Sequence, residues 1–201
     1  MFSILQAAGW PIWPLLLASI IAVALIIERA TALRRAKIIP PGLLQSVIAD
    51  YKQSGVSADA LNRLEAHSPL GRVFAAGLAN VKNSREIMKE AIEESGRGVA
   101  HELERFLTTL GTIAAVSPLM GLFGTVVGMI EIFGAPAAGA SNPTMLAHGI
   151  SIALYNTGFG LVIAIPSMIA YRHFRALVDS VVIEMELQAV KLVELAHGER
   201  K

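Results

Sequence analysis

Charged side chains are missing from three long stretches of the chain, and these stretches predict its membrane-spanning segments. Asp, Glu, Lys and Arg are absent from residues 1–27, 106–130 and 132–171. A helix needs about 20 apolar residues to cross the hydrocarbon core of a bilayer. The first two stretches are each long enough for one span, and the third is long enough for one span and a loop. The pattern therefore predicts an all-α membrane protein with three transmembrane helices.

The composition agrees with this prediction and excludes other classes of protein. Only 16% of the 201 residues are charged, whereas a soluble domain usually carries about a quarter. The net charge of +1 gives no reason to expect nucleic acid as a partner, and the absence of cysteine excludes thiolate chemistry. No basic residue precedes the first apolar stretch, so we interpret it as a retained span and not as a secretory signal.

The basic residues beside the spans predict the orientation, because Lys and Arg in short loops mark the cytoplasmic side of a membrane. The end of the first span carries Arg29, Arg34, Arg35 and Lys37, and the end of the third carries Arg172 and Arg175. The N-terminus is therefore expected outside and the C-terminus inside. The predicted segments are a periplasmic N-terminus (1–9), three transmembrane helices (10–33, 106–132 and 148–171), a cytoplasmic helical region (34–105), a periplasmic loop (133–147) and a cytoplasmic helical tail (172–201).

The charged segments also have helical periodicity. Short helices are predicted over residues 43–53, 58–66 and 71–82, with Ser57 as a cap of the second. Asn83 and Glu86 resemble a capping box for a longer helix, which is expected to continue without a break into the second span. The third span is likewise expected to continue into the tail. Apolar stripes on these extensions must pack on something outside the membrane, either the 34–105 region or a neighbouring subunit.

Small and polar residues inside the second and third spans form the candidate site. Small side chains let helices approach closely in lipid, and proline inside a helix removes one backbone bond and favours a kink. Thr125 and Thr157 are expected at similar depth on adjacent antiparallel helices. The predicted roles are helix packing for Ser117, Gly121, Gly124, Gly128, Gly160 and Ala164, kinks for Pro118 and Pro166, and pore lining for Thr125, Thr157, Asn156 and Ser167.

Two simpler interpretations stay open at this point. A threonine in a membrane helix often bonds only to its own backbone, and a GxxxG pair is common in plain helix packing. No catalytic set, metal-ligand spacing or nucleotide-binding loop is present in the sequence, so we expect neither an enzyme nor a cofactor. No span has an ionisable residue at its middle, so a proton path through this protein would need an acid from a partner.

Two sequence runs resemble a known family. They are LMGLFGTVVGMIEIF at residues 119–133 and ISIALYNTGFGLVIAIPSMIAY at residues 150–171. The G-L-x-G-T-V-x-G-M and T-G-x-G-L-x-x-A-I-P patterns, at this separation, are similar to the second- and third-span signatures of the MotA/TolQ/ExbB proton channel family. The three-span layout and the insertion after the first span favour the ExbB/TolQ-like branch.

This resemblance implies a homo-pentamer, a ring of subunits around the membrane helix of an ExbD- or TolR-like single-span protein. That partner's helix is expected to carry an Asp that takes up the proton. The complex would use proton-motive force at the inner membrane to do work on a TonB- or TolA-like protein that serves outer-membrane transport or integrity. Thr125 and Thr157 occupy the positions of the family's pore-facing threonines.

One position departs from the family pattern. ExbB-like relatives commonly have an acidic residue five positions before the third-span threonine, and Ile152 stands there in this chain. A role for an acid on this helix is therefore not carried over. Two alternatives to a proton-driven motor remain from the sequence: the same architecture driven by Na⁺, and a structural membrane scaffold that conducts no ion.

Overall fold

The computed structural model describes residues 9–134 and 143–197, and within these ranges the side chains of Ser54, His148, Ile152 and residues 143–146 are not described. Almost all of the predicted periplasmic N-terminus, most of the predicted periplasmic loop and the Ile152 side chain thus lie outside the described residues. The helices are α1 (Ile12–Ala32), α2 (Arg35–Ile38), α3 (Leu43–Ser54), α4 (Ala58–His67), α5 (Pro69–Ala79), α6 (Arg85–Glu104), α7 (Leu107–Gly134) and α8 (Pro143–Ala196).

Three segments of the described chain contain a helix that is long enough and apolar enough to cross a membrane. They are Ile12–Ala32, Arg85–Gly134, which contains both α6 and α7, and Gly149–Ala196. Together with the helical content, this confirms an all-α membrane protein with three long apolar helices. At its N-terminal end α8 begins at Pro143, inside the segment predicted as a loop.

Serine hydroxyls cap the N-terminal ends of α4, α5 and α6 in the polar segments. Ser57 accepts from the Ala60 amide at 3.2 Å at the start of α4, as the sequence predicted. Ser68 accepts from the Gly71 amide at 3.0 Å, and Pro69 occupies the first turn, so α5 begins two residues before the predicted Gly71. The predicted Asn83 capping box is wrong, because Ser84 caps α6 and accepts from the Ile87 amide at 3.4 Å.

The prediction of one uninterrupted helix from Arg85 into the second span is also wrong. The helix stops at Glu104 and restarts at Leu107, because Phe106 adopts a φ of 66°. A left-handed conformation costs a residue with a Cβ about 1–2 kcal/mol. The break leaves carbonyl groups at the end of α6 without helical partners, and the buried Arg29 guanidinium donates to the Leu103 carbonyl at 3.1 Å.

The described chain forms two compact units. The membrane unit comprises the chain up to Glu28 together with Phe106–His173. Many of its large apolar side chains are exposed, which suits contact with lipid, and Trp10 packs edge-on against Phe123 with ring centroids 5.9 Å apart. Exposed apolar residues of α1 and α7 include Leu17, Ile20, Val23, Ile27, Leu119, Leu122, Val126 and Ile130.

The charged unit comprises Arg29–Arg105 and the chain from Phe174. It has a core of large apolar side chains, among them Leu70, Phe74, Met88, Val99, Val178 and Leu192. Ion pairs surround this core: Arg72 pairs with Glu102, and Arg175 lies 3.3 Å from Glu104. Burial of apolar surface in water provides the main drive for such packing.

A two-pronged ion pair joins α2 to α8 within the charged unit. Arg35 donates to the Glu184 carboxylate through Nε at 2.9 Å and through an Nη at 2.6 Å. These hydrogen bonds and the positive charge of Arg35 lower the pKa of Glu184, and Glu184 in turn raises the pKa of Arg35. Such paired geometry fixes the orientation of both side chains.

Candidate functional site

The candidate site is a close contact between α7 and α8, here called the glycine seam. Its residues are Ser117, Gly121, Gly124 and Gly128 on α7, and Ala153, Asn156 and Gly160 on α8. A Cβ on Gly121 would lie 2.7 Å from the Asn156 carbonyl oxygen, and a Cβ on Gly160 would lie 2.5 Å from the Ser117 carbonyl oxygen. Both obstacles are backbone atoms, so only glycine allows the two helices to come this close.

The order of contacts along the seam shows how the helices run. Gly121 lies beside Thr157, Gly124 beside Asn156, and Gly128 beside Ala153. Residue numbers increase along α7 in the direction in which they decrease along α8, so the two helices are antiparallel. Because Thr125 follows Gly124 directly, Thr125 and Thr157 lie within about one helical turn of each other along the helix axes. The two threonines are thus neighbours along the seam, and their similar depth in the membrane stays a prediction.

The two threonine hydroxyls have different environments. The Thr125 hydroxyl is exposed and donates to the Leu122 carbonyl of its own helix at 2.6 Å. The Thr157 hydroxyl is buried, and its oxygen has no hydrogen-bond partner within the described part of the chain. A buried hydroxyl without a partner is unfavourable by about 1–3 kcal/mol. Backbone bonding therefore accounts for Thr125 in this subunit but not for Thr157.

The Asn156 side chain fills the space that Gly124 leaves. Asn156 is 1% exposed, and a Cβ on Gly124 would lie 2.7 Å from its Cβ and 3.0 Å from its Nδ2. An amide is costly in contact with lipid, so burial between two helices is the environment expected for it. Within one subunit, Asn156 lies in the seam itself.

Two buried serines border the seam and bond to their own helices. Ser117 donates to the Ile113 carbonyl and Ser167 to the Ile163 carbonyl, each at 2.7 Å. Both side chains are buried within the subunit, as is Ala164. These hydrogen bonds satisfy the hydroxyl donors in an apolar region.

Pro118 and Pro166 lie inside α7 and α8, respectively. Each lacks the N–H that would bond to the carbonyl four residues earlier, which frees one backbone acceptor in each helix. No group of three or more His, Cys, Asp or Glu side chains that could hold a metal ion occurs among the residues that the structure describes. The chemistry available at the seam is thus that of hydroxyl, amide and backbone groups.

Comparison with known proteins identifies the family of this chain. Residues 65–187 match the model of the MotA/TolQ/ExbB proton channel family, and this chain belongs to that family.

Named relatives place the chain in the ExbB/TolQ branch. It is 34% identical over 175 residues to a protein named ExbB-like 3 in Synechocystis sp., covering 86% of this chain and 83% of that protein. It is 31% identical to the biopolymer transport protein exbB1 of Vibrio cholerae, over 81% of this chain and 74% of that protein. It is also 30% identical to the Tol-Pal system protein TolQ of Haemophilus influenzae, over 81% of this chain and 77% of that protein. The protein is therefore a multi-pass protein of the bacterial inner membrane.

Two structural roles were not foreseen from the sequence. Arg29 entered only as one of the basic residues that set orientation, yet it is buried and bonds to the end of α6. Its position one turn before the end of α1 was a usable signal, because a charge there must be either solvated or paired. Phe106 carried no signal, since phenylalanine is an ordinary helix residue.

Proposed function

We propose that this chain is the ring-forming subunit of a proton-driven motor, which acts with an ExbD- or TolR-like single-span partner. The ring is a homo-pentamer around the partner's helix, with N-termini in the periplasm and C-termini in the cytoplasm. The partner's membrane Asp takes up the proton, and the complex does work on a TonB- or TolA-like protein. Family membership supports this function, as do the relatives named for biopolymer transport and for the Tol-Pal system.

At the level of residues, the proposal rests on the Thr157 hydroxyl, which is buried and has no hydrogen-bond partner among the residues that the structure describes. No residue of the second span between 106 and 130 is charged, so this chain has no acid there to accept a proton. A hydroxyl both donates and accepts. Thr157 can thus donate to an incoming carboxylate or hold the water through which the proton passes.

Rotation of one bond makes the Thr157 hydroxyl available. Threonine in a helix populates two rotamers about its Cα–Cβ bond, and exchange between them moves the hydroxyl to another of the three staggered positions. The backbone contact with Gly121 holds the Cα of Thr157 in place during this exchange. The Thr125 hydroxyl, which is exposed on the neighbouring helix, is the second polar group at this depth.

We assign packing, in place of pore lining, to Asn156 and Ser167. Both side chains are 1% exposed within a single subunit, and the Ser167 hydroxyl bonds to the Ile163 carbonyl of its own helix, which supports a packing role. Ile152 is apolar, and the proposal gives this position no part in proton transfer. Water, Thr157, Thr125 and the partner's carboxylate then form the whole transfer path.

The test replaces the hydroxyl with a methyl group. Thr157→Val keeps the shape, and we expect it to lower partner-dependent proton flux into proteoliposomes by about 10-fold or more, as expected for the loss of one hydrogen bond to a charged group. Thr125→Val should lower the flux in the same way. Thr112→Val is the control, because Thr112 makes the same kind of bond to its own helix, to the Thr108 carbonyl at 2.9 Å, but lies about 20 Å along α7 from Thr125 and the proposed transfer site.

Four outcomes contradict separate parts of the proposal. Wild-type flux in both Thr125→Val and Thr157→Val would overturn the pore assignment. Flux that follows a Na⁺ gradient at constant pH would replace the proton with Na⁺. A complex that binds its partner but conducts no ion would leave only a scaffold. Native mass spectrometry in mild detergents tests the pentamer, which a spectrum of only monomers or dimers would contradict.

A further inference from the structure

The junction between α6 and α7 has the backbone angles of a turn, although its residues favour a helix. Arg105 has a φ of −50° and a ψ of 138°, and Phe106 has a φ of 66°. In a type II turn the first central residue has φ and ψ of about −60° and 120°, and the second has a φ of about 80° and is usually glycine or asparagine. Phenylalanine has a Cβ and disfavours this left-handed conformation. The surrounding structure must therefore hold the turn in place.

One local rearrangement would join the two helices. An α-helix has a φ of about −63° and a ψ of about −42°. To reach these values, ψ of Arg105 turns by about 180° and φ of Phe106 by about 130°. When the two rotations have opposite senses they largely cancel, so the peptide group between the residues turns over. The direction of the chain then changes by much less than either rotation.

The buried side chain of Arg29 stabilises the broken state. Arg29 is 6% exposed, and its Nη1 donates to the Leu103 carbonyl at 3.1 Å. In a continuous helix this carbonyl would accept from the Leu107 amide. The break removes that donor, and the guanidinium of α1 takes its place. Because a charged donor makes a stronger hydrogen bond than a neutral one, this contact favours the turn.

The joined state would be stabilised by backbone hydrogen bonds. The Leu110 amide donates to the Phe106 carbonyl at 3.0 Å and completes the first turn of α7. The amides of Leu107, Thr108 and Thr109 belong to the start of a helix, which leaves such groups without acceptors in that helix. In one continuous helix each would donate to the carbonyl four residues earlier. These bonds and the relief of strain at Phe106 oppose the Arg29 contact.

We propose that the peptide group between Arg105 and Phe106 is a two-state joint. Arg29 holds the broken state, and a flip of this peptide joins α6 and α7 into one helix. The joint lies at the boundary where the charged unit ends at Arg105 and the membrane unit begins again at Phe106. It sets whether the second span and α6 form one rigid helix. The joint depends only on this chain's own backbone and Arg29, and it would operate whichever ion or partner the protein uses.

Amide hydrogen exchange tests the joint, followed by NMR of protein in detergent with ¹⁵N-labelled threonine. The Thr108 and Thr109 amides gain helical acceptors only in the joined state, whereas the Thr112 amide lies within α7 in both states and is the internal reference. We expect Arg29→Met to slow exchange at Thr108 and Thr109 relative to Thr112 by about 10-fold or more, as expected for the loss of one hydrogen bond from a charged donor. Arg29→Lys keeps a charged donor and should exchange as the wild type does.

A matched pair at Phe106 tests the same joint without changing Arg29. A β-branched residue tolerates a positive φ least, so Phe106→Val should join the helices and slow exchange at Thr108 and Thr109. Glycine adopts a positive φ readily, so Phe106→Gly should leave this exchange as fast as in the wild type. Equal exchange in the two variants would overturn the proposal. Wild-type exchange in Arg29→Met, with helicity unchanged by circular dichroism, would also overturn it. If Arg29→Met does not fold, the Phe106 pair alone decides.

Discussion

The glycine seam and the core of the charged unit are held together in opposite ways. The seam uses the smallest residues, so that the α7 and α8 backbones come within contact distance at Gly121 and Gly160. The core of the charged unit uses some of the largest apolar side chains, such as Phe74 and Met88. In lipid, a large apolar side chain gains little by leaving the solvent, so close packing and polar contacts favour association. In water, the gain grows with the apolar area removed from solvent.

The shift from small buried residues to large apolar ones occurs within a single helix, α8. In its membrane part, the buried residues of α8 include Ala153, Asn156, Gly160, Ala164 and Ser167. Beyond His173 they become Phe174, Val178, Val181, Met185, Ala189, Leu192 and Val193. The residues that a helix buries thus report which solvent surrounds it, even where the helix continues without a break.

If large apolar side chains hold the charged unit together, then a substitution that leaves a cavity in its core should cause the largest loss of stability. Phe74 is 0% exposed, and truncation of such a residue costs about 3–5 kcal/mol. We therefore expect Phe74→Ala to lower the unfolding temperature strongly in detergent, as followed by circular dichroism. Ile87→Ala on the half-exposed surface of α6 is the control and should change stability little. A small effect at Phe74 would mean that this core contributes little to stability.

In the glycine seam the opposite substitution is the damaging one, because adding an atom forces the helices apart. Gly160→Ala places a methyl group against the Ser117 carbonyl, and overpacking of this kind costs about 1–3 kcal/mol. Gly158→Ala is its matched control two residues away, where a Cβ meets nothing within 4 Å. Unfolding monitored by the fluorescence of Trp10 and Trp13 measures the membrane unit. Equal stability of the two variants would contradict the seam.

The sequence predicted the spans and the seam faces better than it predicted the junctions. Long gaps between charges and the spacing of Gly121, Gly124 and Gly160 depend on helix geometry and solvent, which are local properties. Two other features depend on which helices meet: the Thr157 hydroxyl, which has no hydrogen-bond partner in the described ranges, and the pairing of Arg35 with Glu184. Arg35 and Glu184 are 149 positions apart, and nothing in the sequence shows that they pair.

The break at Phe106 shows the same limit, because no helix-breaking residue marks it. It also gives a third prediction that separates strain from helix propensity. In an ordinary helix, alanine is more stabilising than glycine by about 1 kcal/mol. At a φ of 66° the order should reverse, with Phe106→Gly more stable than Phe106→Ala by about 1 kcal/mol. Thermal unfolding of the two variants measures the difference. Alanine as the more stable variant would show that α6 and α7 form one helix.

The smallest expected effect comes from the ion pair at the surface of the charged unit. Arg35 lowers the pKa of Glu184 from its ordinary value of 4.5, so the folded state favours the ionised carboxylate. This contribution is present above pH 4.5 and is lost as the pH falls through the lowered pKa of the folded state. It is small because the Arg35 side chain is 68% exposed. Wild-type protein should thus be slightly more stable than Glu184→Gln at neutral pH, and the difference should vanish in acid and shrink in high salt. A difference that grows as the pH falls would show that burial, and not Arg35, controls this carboxylate.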